Sequence, residues 1–159
     1  MPKLKMKIDA LTPQHVKIIK YKGPNPSAIL TIAPNILKSI LKLSSTSLFT
    51  DQIKWDTSSK IISFYGQWRG KDGKDKYTKV WFKIIAQGKI DENNNGELTV
   101  WLTSEIDVGF EYKYPIEKFL LWIYKKFLYS EQLKRYAKEG RRNADQIERE
   151  IKNYFGIGG

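Results

Sequence analysis

The sequence predicts an α+β fold in which an antiparallel sheet packs against a long C-terminal helix. Three observations carry this. From Asp51 to Lys113, apolar and polar residues alternate with period two. From Pro115 the period becomes helical and stays so almost to Phe155. The connections inside the period-two region are short and rich in Gly, Asn, Asp and Ser, which suits hairpins.

The elements follow in order. "LKMKID" places Leu4, Met6 and Ile8 on one face of a strand and Lys3, Lys5 and Lys7 on the other. A second strand-like run, "HVKIIKYKG", ends at the breaker "GPNP". The two runs either pair with each other or join the sheet separately. In "SAILTIAPNILKSILKLSS", Ile36, Leu37, Ile40, Leu41 and Leu43 recur at helical spacing, and Pro34 suits a first helical turn. This predicts a short helix, a break and a second helix. Four runs, "QIKWD", "KIISFYGQWRG", "KYTKVWFKIIAQGKI" and "ELTVWLTSEIDVGFEYK", then form an antiparallel meander. Along the final helix, Leu133, Ala137, Gly140, Ala144, Ile147, Ile151 and Tyr154 step by alternating fours and threes, one continuous apolar seam.

Length and charge bound the function. The chain has 159 residues, and the expectation is a single domain over 1–155 with 156–159 as a flexible tail. Its formal net charge is +11, which favours phosphates or anionic membrane as partners without saying anything about fold. With no cysteine, disulfides and thiolate chemistry are excluded. "MPKLKMKIDAL" is too charged for the apolar core of a signal peptide, and "FLLWIY" is far below the roughly 20 residues of a membrane span. A cytoplasmic protein is expected.

Parity also reads the hairpins. A three-residue loop Asn94-Asn95-Gly96 with Gly96 left-handed would place Lys79 opposite Glu111, Lys83 opposite Asp107 and Ala86 opposite Ser104. Centring the preceding hairpin on Gly73 would pair Phe64 with Phe82 and Tyr65 with Trp81. On this reading "YGQWRGKDGKDKYTKVWFKI" is an amphipathic hairpin: its lysines are largely countered by acids on the next strand and half its rings enter the core.

The dry face of the sheet is not uniformly bulky. Gly66, Ala86, Gly88 and Ser104 interrupt the large side chains, and the helical seam presents Ala137, Gly140 and Ala144 near its middle. Small residues on both sides either let helix and sheet approach closely or leave a void. A void would be rimmed by Trp55, Phe64, Trp68, Phe82, Phe110 and Tyr112, with Ser104 and Tyr112 as its polar groups.

This order of elements, together with the basic final segment "YPIEKFLLWIYKKFLYSEQLKRYAKEGRRNADQIEREI" and its internal "EG", resembles the START-like superfamily of lipid-transfer domains, birch-pollen-type allergens and polyketide cyclases. The likeness covers nearly the whole chain, though the five or six strands counted are fewer than that superfamily usually has. It implies the helix-grip arrangement: a curved antiparallel sheet wrapped around the C-terminal helix, with two short helices after the first strand. It further implies an apolar cavity between sheet and helix that holds a lipid-like molecule without catalysis.

Other constellations carry less. Asp91, Asn93, Asn95 and Gly96 match the opening of a calcium loop, but Leu102 stands where the closing bidentate Glu is needed. His15 is the single histidine, so no transition-metal site is expected. Glu105 and Asp107 share a strand face with lysines nearby and read as surface ion pairs. No catalytic residue, cofactor or metal is assigned. The expected function is a binding protein for an apolar or amphipathic small molecule, lined by Trp55, Phe64, Trp68, Phe82, Ala86, Ser104, Phe110, Tyr112 and Gly140. The alternative is a basic protein that docks on RNA, a ribonucleoprotein or anionic membrane through Lys138, Arg141 and Arg142. An enzyme of the cyclase or hydrolase kind would need an acid or base on a dry face that offers only Ser104 and tyrosines.

Overall fold

The computed structural model of the chain describes residues 3–9, 16–42, 47–74, 78–111 and 130–157. The order is β1 (Lys3–Asp9), β2 (Lys17–Pro24), a 3-10 turn at Pro26–Ala28, α1 (Ile29–Leu41), β3 (Leu48–Asp56), β4 (Ile62–Gly73), β5 (Thr78–Ile90), β6 (Asn95–Glu111) and α2 (Ser130–Tyr154). One six-stranded antiparallel sheet runs β1-β6-β5-β4-β3, and β2 also pairs with β6. The two N-terminal runs join the sheet separately, end to end on β6: β2 lies along residues 95–102 and β1 along 105–111. β6 is long enough for both because Asn95–Glu111 runs unbroken over 17 residues.

The helical region after β2 differs from the expectation. In place of two short helices after the first strand there is one α-helix after the second strand, preceded by the 3-10 turn. Pro34 sits inside it. A proline in a helix interior costs about 3 kcal/mol. Continuity across it buries Ile29, Ala33, Leu37 and Leu41 on one face, and each large apolar side chain so buried returns about 1.5–3 kcal/mol. The burial outweighs the lost hydrogen bond.

The inner face of the sheet is made by alternate residues of its central strands: Phe64 and Trp68 on β4, Val80, Phe82, Ile84 and Ala86 on β5, Val100, Leu102, Ile106 and Val108 on β6, all buried. The seam of α2 closes over it with Leu133, Gly140, Ala144, Ile147 and Ile151 buried and Ala137 half-buried, whereas Tyr154 is exposed. The helical segment expected from Pro115 to Tyr129 lies outside the described residues. Two lysines anchor α2. Lys17 of β2 pairs with Asp145 at 2.7 Å and Glu148 at 3.6 Å. Lys74, at the tip of β4, pairs with Asp72 at 2.8 Å and Glu139 at 2.7 Å. Burial disfavours each charge, yet the neighbouring carboxylates outweigh it and hold both lysines above their ordinary value.

The helix ends in a Schellman motif: Ile157 N–H donates to the Lys152 carbonyl and Gly156 N–H to the Asn153 carbonyl, with Gly156 at φ 67°. Phe155 stacks on Tyr21 at 4.5 Å between centroids. Residues 156 and 157, expected in a frayed tail, thus close the helix; 158–159 lie outside the described residues.

Candidate functional site

The faces are as parity requires, but both hairpin registers are displaced. In β5–β6 the partners are Lys79 with Asp107, Phe82 with Ser104, Lys83 with Thr103 and Ala86 with Val100. The loop is Glu92-Asn93-Asn94, two residues earlier than expected, and Asn94, not Gly96, is left-handed at φ 62°. The cause is Asp91. Its Oδ1 accepts the N–H groups of Asn93 at 2.8 Å and Asn95 at 3.0 Å, which fixes the turn. Gly96 serves a different need: a Cβ there would strike the Lys89 carbonyl of β5.

In β4–β5 the partners are Phe64 with Gly88, Gly66 with Ala86, Trp68 with Ile84 and Gly70 with Phe82. Phe64 therefore does not face Phe82. Phe64 and Phe82 each lie opposite a glycine and Trp68 lies opposite Ile84, and two of the rings reach into the gaps: a Cβ on Gly88 would meet the Phe64 ring, and one on Gly66 would meet Trp68. The glycines that interrupt the dry face are filled from the same face.

Of the residues expected to line a cavity, Phe64, Trp68, Phe82, Ala86 and Ser104 are buried together on the inner face, and Gly140 is buried on α2. Trp55 is opposite Phe64 on the edge strand β3, its ring 5.8 Å away, but 51% exposed. Phe110 is placed in β6 opposite Leu4. Tyr112 and His15 lie outside the described residues. Two buried hydroxyls among the described residues make no hydrogen bond, Ser104 Oγ and Thr78 Oγ1. They sit on the inner face of neighbouring strands, four residues out of register, or about 14 Å apart.

A concave site lies elsewhere. Between α1 and the C-terminal half of α2 is an open groove of about 730 Å³. Its apolar wall is Ile32, Ile36 and Ile40 of α1 with Tyr154 of α2; its polar groups include Asn35, Gln146, Glu150 and Asn153. The three isoleucines recur every fourth residue, flank the stripe that faces the sheet, and are half-buried. The period-3.6 pattern of "ILTIAPNILKSIL" carried this signal. It reads as a helix apolar over more than one face, whereas the single stripe expected for a surface helix needs only Ile29, Ala33, Leu37 and Leu41.

The cations proposed on the final helix are placed on α2, where Lys138, Arg141 and Arg142 are exposed. Among the described residues no group of three His, Cys, Asp or Glu side chains is arranged to hold a metal ion, and no helix is long and apolar enough to cross a membrane. The Asp91–Asn95 segment is a hairpin turn stabilised by its own backbone.

No family model and no curated protein matches the chain. Among solved structures it is similar to a protein of unknown function from Staphylococcus aureus, at 9% identity over 96% of this chain and 97% of that one, with a TM-score of 0.30.

Proposed function

We propose that this chain is a non-catalytic binding protein for an apolar or amphipathic small molecule, in a helix-grip arrangement of sheet and C-terminal helix. The observation that carries the reading is the second apolar stripe of α1. Ile32, Ile36 and Ile40 face a groove of about 730 Å³ instead of the sheet, and small-molecule sites are typically concave, mostly apolar and of about 300–1,000 Å³. The polar groups of the groove stand on α2 and at the outer edge of α1, as an amphipathic ligand needs: an apolar body along the isoleucines and a polar end toward Gln146 and Asn153.

Native mass spectrometry of protein purified through a high-salt wash tests this. The expected result is a retained small adduct, or uptake of a fatty acid or lysolipid from an added panel, with affinity nearly independent of salt. In Ile36→Lys the adduct should be lost while the circular dichroism is unchanged. A bare protein that takes up no member of the panel overturns the proposal.

A further inference from the structure

The outward face of the sheet has a character that the expected registers hid. In the expected register Lys79 would have faced Glu111 and Lys83 would have faced Asp107. In the structure Lys83 lies opposite Thr103, and among the described residues it has no ion-pair partner. The carboxylates collect at the two ends of the face: Asp56 and Glu97 at one, Glu105 and Asp107 at the other.

Between these ends three rungs cross the sheet. The first carries Lys54, Tyr65, Gln87, Thr99 and Lys20. The second carries Gln52, Gln67, Ile85, Trp101 and Ile18. The third carries Phe49, Arg69, Lys83 and Thr103. The single carboxylate among them, Asp51, is displaced by the bulge in β3 and is held two-pronged by Arg69, with Nε–Oδ2 at 2.6 Å and Nη2–Oδ1 at 3.1 Å. That clamp also fixes the guanidinium over the rings of Phe49 and Trp81, 5.4 and 5.0 Å from their centroids. The band thus has exposed lysines at both margins, half-buried rings between them, and amides and hydroxyls but no free carboxylate.

We propose that this band binds single-stranded nucleic acid, with Trp101 and Tyr65 stacking bases and Lys20, Lys54 and Lys83 contacting phosphates. The chemistry matches on three counts. Aromatic side chains on a sheet surface stack unpaired bases with little regard to sequence. Lysines that flank them track a phosphate backbone. Amide side chains such as Gln87 reach base edges. A second copy of this chain is the poorer fit, because pairing the band with itself sets lysines against lysines. A membrane surface is also the poorer fit, because the rings of the band are half-buried.

The test uses the full chain and 5′-fluorescein-labelled ten-residue oligouridylate, oligothymidylate and a duplex of equal length, read by fluorescence anisotropy across a salt series. Both single strands should bind, more tightly than the duplex. Trp101→Leu should weaken binding about 5- to 150-fold, the loss of one stacked base. Lys20→Gln with Lys54→Gln, both exposed and without risk to the core, should flatten the logarithmic salt slope by about 1.4, for two phosphate contacts at about 0.7 each. Four results overturn the proposal. One is no binding at the lowest salt, and another is duplex bound as tightly as single strand. The third is binding that survives the double lysine change but is lost in Arg142→Gln, which would move the contact to α2. Anionic vesicles of phosphatidylserine competing the oligonucleotide off in the wild type but not in the lysine variant would name a membrane surface instead.

Discussion

Gly66→Ala tests whether the dry face is packed or hollow, and the sign of the effect decides. Gly66 lies on β4 opposite Ala86, at a backbone conformation open to any residue. If space stood above it, alanine would stabilise the protein by about 0.4–1 kcal/mol, because it narrows the unfolded ensemble without strain. The structure says otherwise. A Cβ at this position would lie 2.8 Å from Trp68 Cζ2, closer still to Cη2, and 3.0 Å from Leu30 Cδ2. Leu30 is half-buried and can give way, but Trp68 is fully buried and cannot move without displacing its neighbours. Forcing a methyl into a packed core costs about 1–3 kcal/mol. A loss near 2 kcal/mol lowers the urea midpoint by about 1 M if the m-value is about 2 kcal/mol/M. The obstructing atoms belong to the six-membered ring of the indole, so Trp68→Phe removes them, at its own cost of about 2 kcal/mol for the lost buried surface. In that background Gly66→Ala should cost almost nothing, a coupling of about 2 kcal/mol between residues in contact. Urea unfolding of the four proteins completes the cycle. A neutral or stabilising Gly66→Ala in the wild type, or strict additivity with Trp68→Phe, would refute the packed reading and restore the void.

Two further outcomes follow from single groups. Thr78→Val removes an unpartnered buried hydroxyl while keeping its shape, and should raise stability by about 1 kcal/mol. A loss of similar size in chemical unfolding would mean that the hydroxyl is bonded in solution. Lys74→Met removes a tie between the β4 tip and α2 and should cost about 1 kcal/mol at neutral pH. The folded-state value of Lys74 is raised above 10.5. Its contribution is therefore fully present below that pH and fades as pH climbs through the raised value. Thermal melts of wild type and variant should converge only in strongly alkaline buffer, and a gap that closes already at neutral pH would contradict the assignment.

How much was legible can be traced residue by residue. The inward set on β4, β5 and β6 is the set that parity selects, and on α2 the seam holds from Leu133 to Ile151. Only Tyr154 departs, since it stands beyond the sheet beside the groove. Pro34 misled because proline is read locally as a helix start, whereas the buried face of α1 spans it. Phe64, Trp68, Phe82, Ala86 and Ser104 share the buried inner face, as their parity in the sequence requires. The groove along Ile32, Ile36 and Ile40 needs both helices to exist, because α2 begins at Ser130, far downstream of the end of α1 at Leu41.

What the sequence by itself determined is which face each side chain takes. Alternation survives any hairpin slip that keeps an odd loop, because the paired positions then shift by an even number and no residue changes sides. Tertiary structure decided the register within that constraint. Asp91 chose one turn by binding two backbone N–H groups. In the other hairpin the rings of Phe64 and Trp68 came to lie over positions where Gly88 and Gly66 leave room. Those displacements of a few residues left the core unchanged and rearranged the outer face: Lys83 moved from an aspartate to a threonine. Charge patterning across a sheet depends on register, and register is a property of pairs of strands that neither strand encodes alone.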